Sequence, residues 1–447
     1  MAYSTLCSRI LEVSISLAAY TWIAYPLLLA GMRWAALRWF SRHRSGQHWS
    51  GQHWSGLRVF PTCSGSTEQG SAMPSVSIII PAHNEEQRIA GKLHNCLELD
   101  YPHDHVEFIV CSDGSTDSTE EIVRDFTTRD GRIRWLQSER RAGKSGVQNI
   151  AAAAARGDIL FFTDANASMG PEVLQVLIDD LADPAVGLVT GTVHLGDPRL
   201  CETELRRLEP GEPELREPEL RDPELGETQF GHPQLSQSQD AVARSQGFYW
   251  RYELFLRVAE SDLGILATAS GQAMAVRREL YRPLPTCYGD DCILPLDVRL
   301  QGRRVVQERS AVVFDTMPHS IAGELRARIR MTARNWAGTL ARPALLNPLR
   351  FPLTSFGLVS HKLLRWLTPF FLGLALLSNT VIAFSGRGIL LWWLQAGFYF
   401  SAFVGWQLTR KQRPAGPFGY CFSFCLANVG FLLGMLKAFR NQKIVAY

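Results

Sequence analysis

Apolar residues fall into two regimes along the chain. Between about residues 74 and 200 they form short runs separated by stretches of helical period; near both ends they form runs of about twenty. Val76-Ser-Ile-Ile-Ile80, Val106-Glu-Phe-Ile-Val110, residues 132–136 and Asp158-Ile-Leu-Phe-Phe162 read as four strands. Pro81, which has no N–H for a ladder, is expected to end the first. The intervening periodicity predicts a helix over residues 86–99, a second from a Ser115–Ser118 cap through Phe126, and an Ala-rich third ending near Gly157. A helix over 171–183 and a strand over 186–193 follow. Strands alternating with helices of this length predict an α/β domain with a parallel, doubly wound sheet, whose ligand crevice lies beyond the carboxyl ends of the strands.

The longer apolar runs predict membrane spans. Residues 10–32 are apolar apart from Glu12 and some small polar residues. Their length, the early Glu12 and the lack of a small-residue cleavage site predict an uncleaved anchor within residues 1–40. Arg33, Arg38, Arg42 and Arg44 follow, which puts the downstream domain in the cytoplasm. Toward the other end, residues 361–366 read as a segment lying on the lipid interface. Residues 366–385, 389–406 and 418–439 read as three crossings within a 346–447 membrane region. Arg410, Lys411 and Arg413 suit a cytoplasmic loop, but three crossings would leave Lys437, Arg440 and Lys443 outside, unless the last stretch is re-entrant or interfacial.

Two polar stretches interrupt the pattern. Residues 41–73 read as a linker in which Ser45-Gly-Gln-His-Trp is duplicated at Ser50, pairing His48 with His53. Residues 202–228 carry Glu212-Pro-Glu-Leu-Arg, Glu217-Pro-Glu-Leu-Arg and Asp222-Pro-Glu-Leu-Gly, an acidic repeat whose prolines forbid a continuous helix and whose composition predicts a disordered insertion. Composition adds little beyond this. With 46% hydrophobic residues and 447 positions the chain has ample material for a core. A net charge of +3 without a basic tract gives no nucleic-acid signature. The nine cysteines include no C-x-x-C pair, which predicts reduced thiols and no zinc.

Candidate chemistry collects at the predicted strand ends. Asn84-Glu85-Glu86, Asp113 to Asp117 and Asp164-Ala165-Asn166 fall on one rim. Asp164 and Asn166 offer oxygen ligands suited to Mg²⁺ or Mn²⁺, which commonly also takes diphosphate oxygens. Asp113 is placed to accept hydrogen bonds from a ribose or base edge, and Lys144 to neutralise phosphate. A loop acid or helix cap would account for any one cluster alone; the ordered set points to a site.

Pro81-Ala-His-Asn-Glu-Glu, Ser112-Asp-Gly-Ser-Thr-Asp, Gly143-Lys144, Thr163-Asp-Ala-Asn, Ser270-Gly-Gln-Ala-Met-Ala and Gly289-Asp-Asp-Cys resemble the successive motifs of the family 2 glycosyltransferases, inverting enzymes of GT-A fold. The resemblance spans roughly residues 74–340 and implies a GT-A transferase domain over 74–345 joined to transmembrane helices. It implies a donor site at Pro81, Asn84, Glu85, Asp113, Lys144, Asp164, Arg328 and Arg330. It places Ser270, Gly271 and Asp290 on the acceptor side, with Asp291 as general base. A UDP-sugar donor, a lipid-linked or glycan acceptor, membrane lipids as partners and a bacterial inner membrane come with it. The basic helix over 324–336 departs from the pattern of polymer-building relatives: Ala327 and Met331 stand where those carry glutamine and tryptophan, so a single transfer or a short product is as consistent as processive synthesis. Two rival readings fit the residues less well. A nucleotidyltransferase would carry a Gly-rich, Arg-bearing loop after the first strand; a non-catalytic scaffold would have lost Asp164 or Asp291, and both positions hold acids.

Overall fold

The computed structural model describes residues 2–43, 73–195, 239–315 and 320–440. The linker residues 44–72 with His48 and His53, the acidic repeat and Lys443 lie outside the described residues. In chain order, α1 (Ala2–Ala19) and α2 (Tyr25–His43) form one long rod joined by a π-helical turn over Tyr20–Ala24. The α/β unit runs β1 (Val76–Ala82), α3 (Ile89–Leu97), β2 (Val106–Ser112), α4 (Thr119–Arg129), β3 (Ile133–Gln137), α5 (Gly143–Ala154), β4 (Ile159–Phe162), β5 (Ser168–Met169), α6 (Val173–Leu181) and β6 (Val186–Leu195). After α7 (Gln239–Asp262) come β7 (Met274–Arg277), α8 (Asp290–Leu300), β8 (Arg304–Asp315) and α9 (Ile321–Leu340). The chain closes with α10 (Pro352–Gly357), a π-helical stretch over Leu358–Leu363, α11 (Leu364–Phe384), α12 (Ile389–Arg410) and α13 (Gly416–Phe439).

The strands form one eight-stranded sheet in the order β3-β2-β1-β4-β7-β6-β8-β5. Half of the sequence expectation holds. β3, β2, β1 and β4 are mutually parallel, but β7 runs antiparallel to both β4 and β6, and β5 antiparallel to β8. The sheet is therefore mixed: β7 is laid down after a long excursion and enters from the carboxyl-end rim. Both faces are covered. Ile78, Ile80, Phe108, Val110 and Phe161 share one core and Ile79, Ile109, Leu160 and Phe162 the other, so the strands read as unbroken apolar runs.

Two local expectations are corrected. β1 does not stop at Pro81 but continues to Ala82, with Pro81 opposite Cys111. The Ile79 carbonyl accepts from Thr163 on the β4 side and the Ala82 carbonyl from Asp113 on the β2 side. Alternation then turns the Pro81 nitrogen toward β4, where pairing has ended at Ile79 and Phe162, so no ladder bond is lost. The α4 cap is also not a serine: Ser118 makes no side-chain cap bond, and Asp117 Oδ1 accepts from the Thr119 nitrogen at 3.1 Å instead. The reach of this packing is testable at Gly157, where a Cβ would lie 2.5 Å from the Ser77 backbone nitrogen. Gly157→Ala is expected to cost about 1–3 kcal/mol by overpacking and to lower the thermal midpoint.

Among the described residues, four helices are long and apolar enough to cross a membrane: Thr5–Trp39, Pro352–Phe384, Ile389–Arg410 and Gly416–Phe439. Their packing revises three expectations. The 10–32 run serves two environments, because Tyr25 and Leu29 are fully buried against Leu256 and Ala259 of α7 and Leu263 just beyond it, beside the sheet domain. The 361–366 segment does not present its charges to lipid headgroups. His361 and Arg365 are 1% and 3% exposed and meet carboxylates of α7. His361 Nδ1 lies 2.7 Å from Glu260 Oε1, Lys362 Nζ lies 2.8 Å from Glu253 Oε1, and Arg365 donates to Glu253. Buried cations require such partners. Finally, α13 lies lengthwise on α9, with Gly430 against Arg328, Gly434 against Thr332, and Phe439 packed on Trp336. The end of α13 bearing Lys437 and Arg440 thus packs against α9 through Phe439 and Trp336.

Candidate active site

The carboxyl ends of β1, β2 and β4 meet at one rim, and their polar residues divide into a frame and a reactive set. Asn84 and Glu85 belong to the frame. Asn84 adopts a left-handed φ of 55°, and its Oδ1 accepts from the Thr116 nitrogen at 2.8 Å. The Glu85 nitrogen donates to Thr119 Oγ1 at 2.8 Å, and the Glu85 carboxylate meets Arg88 at 3.2 Å. Glu86 Oε2 accepts from the Ser118 nitrogen. The first two clusters thus brace one another.

Asp113 is fully buried. Its two oxygens accept from the Ala142 and Gly143 nitrogens at 2.6 and 3.0 Å, so it sets the turn that begins α5. Gly143 takes a φ of 72° there, a conformation open to glycine at little cost. The next residue, Lys144, is thereby aimed across the rim. Its Nζ lies 2.6 Å from Asp164 Oδ1 and 3.0 Å from Asp290 Oδ2. Burial disfavours its charge, but the two carboxylates outweigh this and raise its pKa above the usual lysine range.

Asp290 is the first residue of α8, behind the Gly289 cap, where the helix end favours an acid. Gln148 Nε2 donates to its Oδ2 at 2.9 Å. Burial pushes the Asp290 carboxyl up, and Lys144, the Gln148 bond and Arg334 outweigh that and hold it below the usual range. Asp291 differs. It is more open to solvent, yet burial and the neighbouring Asp290 charge raise its carboxyl above the usual range. Adjacent carboxylates pushed in opposite directions are a recurring arrangement where one must hold a cation and the other exchange a proton.

Ser270 and Gly271 lie in the turn ahead of β7. The Ser270 nitrogen donates to Thr190 Oγ1 and its Oγ accepts from Arg257 Nη1 at 2.7 Å. A Cβ on Gly271 would lie 3.3 Å from Lys144 Nζ and 3.7 Å from Asp290 Oδ2, so glycine keeps this wall open. Asn166 is turned elsewhere: its Nδ2 donates to Asp315 Oδ1 at 2.7 Å, and Gln272 donates to the other Asp315 oxygen at 2.8 Å. Arg328 also leaves the set. It pairs with Glu324 at 2.8 Å and packs its stem on α13. Arg330 stays exposed on the α9 face that continues to Arg334.

Three residues of this neighbourhood escaped the sequence assignment. Lys92 is buried beneath the β4 loop, donating to Thr163 Oγ1 at 2.8 Å and the Ala167 carbonyl at 2.7 Å, and burial lowers its pKa. It pins the segment that carries Asp164. Arg334, 6% exposed, reaches Ser145 Oγ and the Tyr288 carbonyl; its i, i+4 relation to Arg330 was the available signal. Arg257, also 6% exposed, ends the Tyr249-Trp-Arg-Tyr-Glu-Leu-Phe-Leu-Arg run, which reads in the sequence as an amphipathic helix.

Residues 77–241 match the family model described as Glycosyl transferase family 2. Glycosyltransferase AglE of Haloferax volcanii is 31% identical over 128 residues, 29% of this chain and 42% of that protein. An N-acetylglucosaminyltransferase of Sinorhizobium fredii is 26% identical over 308 residues, covering 66% of this chain and 65% of that one. The chain thus spans less than two thirds of these curated relatives. Among solved structures, the mannosyltransferase PcManGT from Pyrobaculum calidifontis, in complex with GDP-Man and Mn²⁺, superposes with a TM-score of 0.64 at 21% identity, covering 97% of this chain and 99% of that one. That likeness is one of fold.

Proposed function

We propose that this chain, whose residues 77–241 match the family 2 glycosyltransferase model, moves a sugar from a nucleotide-diphospho-sugar to a lipid-linked or glycan acceptor at a membrane surface. The observation that carries this is the Lys144 ammonium, held between Asp164 on the donor rim and Asp290 at the start of α8. One cation joins the phosphate side to the acceptor side.

In the proposed step an acceptor hydroxyl oxygen attacks the anomeric carbon of the sugar. As that bond forms, the hydroxyl proton passes to Asp291, whose raised pKa suits it as a base. The bond from the anomeric carbon to the diphosphate breaks, its electron pair leaves with the nucleoside diphosphate, and Lys144 offsets the charge gathering there. A single displacement of this kind inverts the anomeric configuration. Asp113 orders the Lys144 turn through the Ala142 and Gly143 nitrogens, and Lys92 fixes the Asp164 loop.

The residues present fit a divalent cation. Among the described residues no three His, Cys, Asp or Glu side chains converge. Asp164 would therefore hold Mg²⁺ or Mn²⁺ with one carboxylate, the diphosphate supplying further oxygens, as is usual for Mg²⁺. Bound there, the metal would stabilise the departing diphosphate. Asn166, tied to Asp315, would act through loop geometry instead of as a ligand. PcManGT, with its GDP-Man and Mn²⁺, supports a nucleotide sugar and a metal in general; a UDP-sugar is the donor we propose. Residues 74–345 would form the transferase domain on the cytoplasmic side, where nucleotide sugars are made, with the four apolar helices as its membrane support.

The test is donor binding by detergent-purified full-length protein across a panel of UDP- and GDP-sugars, with Mn²⁺ or with chelator. One donor is expected to bind in a metal-dependent way. Asp164→Ala should weaken that binding about 100-fold while the fold survives, since Asp164 lies at the rim and not in the core. If no nucleotide sugar binds the folded wild-type protein, the proposal fails.

A further inference from the structure

Arg257 lies where α7 passes between the acceptor side and the membrane helices, and its bonding is incomplete. Nη1 donates to Ser270 Oγ at 2.7 Å. Nε and Nη2 are buried and, among the described residues, have no hydrogen-bond partner. Its guanidinium is 6% exposed at the residue level, so the two donors carry a desolvation penalty that something ought to relieve. The carboxylates whose charge acts on it are Glu253, Asp291 and Glu260, and the first and last are already engaged. Glu253 is shared by Lys362, His361 and Arg365, and Glu260 Oε1 accepts from Tyr25 and faces His361 at 2.7 Å. With Asp291 included, three carboxylates face the three permanent cations Arg257, Lys362 and Arg365, yet two Arg257 donors still lack a hydrogen-bond partner of their own.

An apolar groove approaches the same cations from the membrane side. It has a volume of about 410 Å³ and is lined by Ile15, Ala18, Trp22, Phe371, Leu391 and Phe424. At one end the Arg365 guanidinium stands 5.2 Å from the Trp22 ring and 5.3 Å from Tyr252, and Arg365 donates to Glu253. Arg257 follows Glu253 by one helical turn. An apolar groove between candidate spans, with the Arg365 guanidinium stacked on Trp22 of its lining, fits a molecule with a hydrocarbon chain and an anionic head.

We propose that Arg257 binds a phosphate carried by a lipid acceptor, whose chain occupies the groove and whose hydroxyl is thereby presented to Asp291. This rests on the transferase reading above and names its acceptor class. The orphaned Nε and Nη2 donate to the phosphate. Ser270 holds the guanidinium in place.

The experiment uses the full chain purified in a neutral detergent, with isothermal titration of dodecyl phosphate, dodecyl β-glucoside and inorganic phosphate. Dodecyl phosphate is expected to bind about tenfold or more tightly than the glucoside. Arg257→Gln should lose that advantage and Arg257→Lys should keep part of it, with nucleotide-sugar binding within about twofold of wild type in both. Arg257→Lys retains a buried cation and serves where the glutamine variant does not fold. Inorganic phosphate binding as tightly as dodecyl phosphate would support the anion site while assigning it to a free phosphate. Equal affinity for dodecyl phosphate and the glucoside, or no change in Arg257→Gln, overturns the inference. Discrimination for phosphate with no nucleotide sugar bound by wild type would leave the anion site standing and sink the transferase mechanism instead.

Discussion

Asp291→Asn is expected to lower sugar transfer by about 100- to 10,000-fold, the range for loss of a positioned general base, while nucleotide-sugar binding stays within about twofold. Binding should persist because Lys144, Asp164 and Asp290 remain paired without it. The pH profile offers a second signature. Burial and Asp290 raise the Asp291 carboxyl, so wild-type turnover should climb with pH along an acidic limb centred above the ordinary aspartate value of about 3.9, and that limb should vanish in the variant. Stability should move the other way. The folded protein holds the Asp291 proton more tightly than the unfolded chain does. The stabilisation this gives is therefore present below about pH 4 and is lost as pH rises through the folded value. Removing the carboxylate should consequently raise the thermal midpoint at neutral pH. A variant with full turnover would remove Asp291 from the base role, and one whose midpoint falls by several degrees would contradict the raised carboxyl.

Glu253→Ala is expected to be the most destabilising single change, by about 3–5 kcal/mol, the cost of leaving buried cations without their partner. Lys362, His361 and Arg365 all converge on this carboxylate. Burial pushes the Glu253 carboxyl up, but Lys362, His361 and Arg365 outweigh it and hold it well below the usual range. The stabilisation is thus present above the ordinary glutamate value of about 4.3 and is lost as pH falls through the depressed folded value. Thermal unfolding of the detergent-purified protein at pH 7 checks this. An unchanged midpoint would mean that the α7 contact to the membrane helices is solvated. Glu253→Gln should lie between the two, since it keeps the shape and loses the charge.

Much of the site was legible before any coordinates, because strand periodicity fixes which residues stand at carboxyl ends. Asp113, Lys144, Asp164, Asp290 and Asp291 were all placed that way or by motif, and the structure brings Lys144, Asp164 and Asp290 into direct contact. What periodicity could not reveal was how the polar atoms are used. Asn84 and Glu85 stand on the right rim, yet their hydrogen bonds run to Thr116, Thr119 and Arg88. Asn166 lies two positions from Asp164 and still turns to Asp315. Arg328 and Arg330 are neighbours in the same motif, but six residues back from Arg334 lands near the opposite face of a helix and four residues back near the same one. Only Arg330 therefore shares the face of Arg334.

The sequence by itself determined the α/β alternation, the parallel half of the sheet, the rim of acids and the apolar helices, since each is a local pattern enforced by backbone geometry and burial. The tertiary structure alone decided the rest. It ran β7 antiparallel to β4, carried β1 through Pro81 where the neighbouring ladder had already ended, and turned His361, Lys362 and Arg365 from lipid toward Glu253 and Glu260. It also laid α13 along α9 and left Arg257 with two unmet donors beside Asp291. Each of these depends on which distant residue arrives opposite a charge or an open backbone edge, and that pairing is set by packing between segments well separated in the chain rather than by any local period.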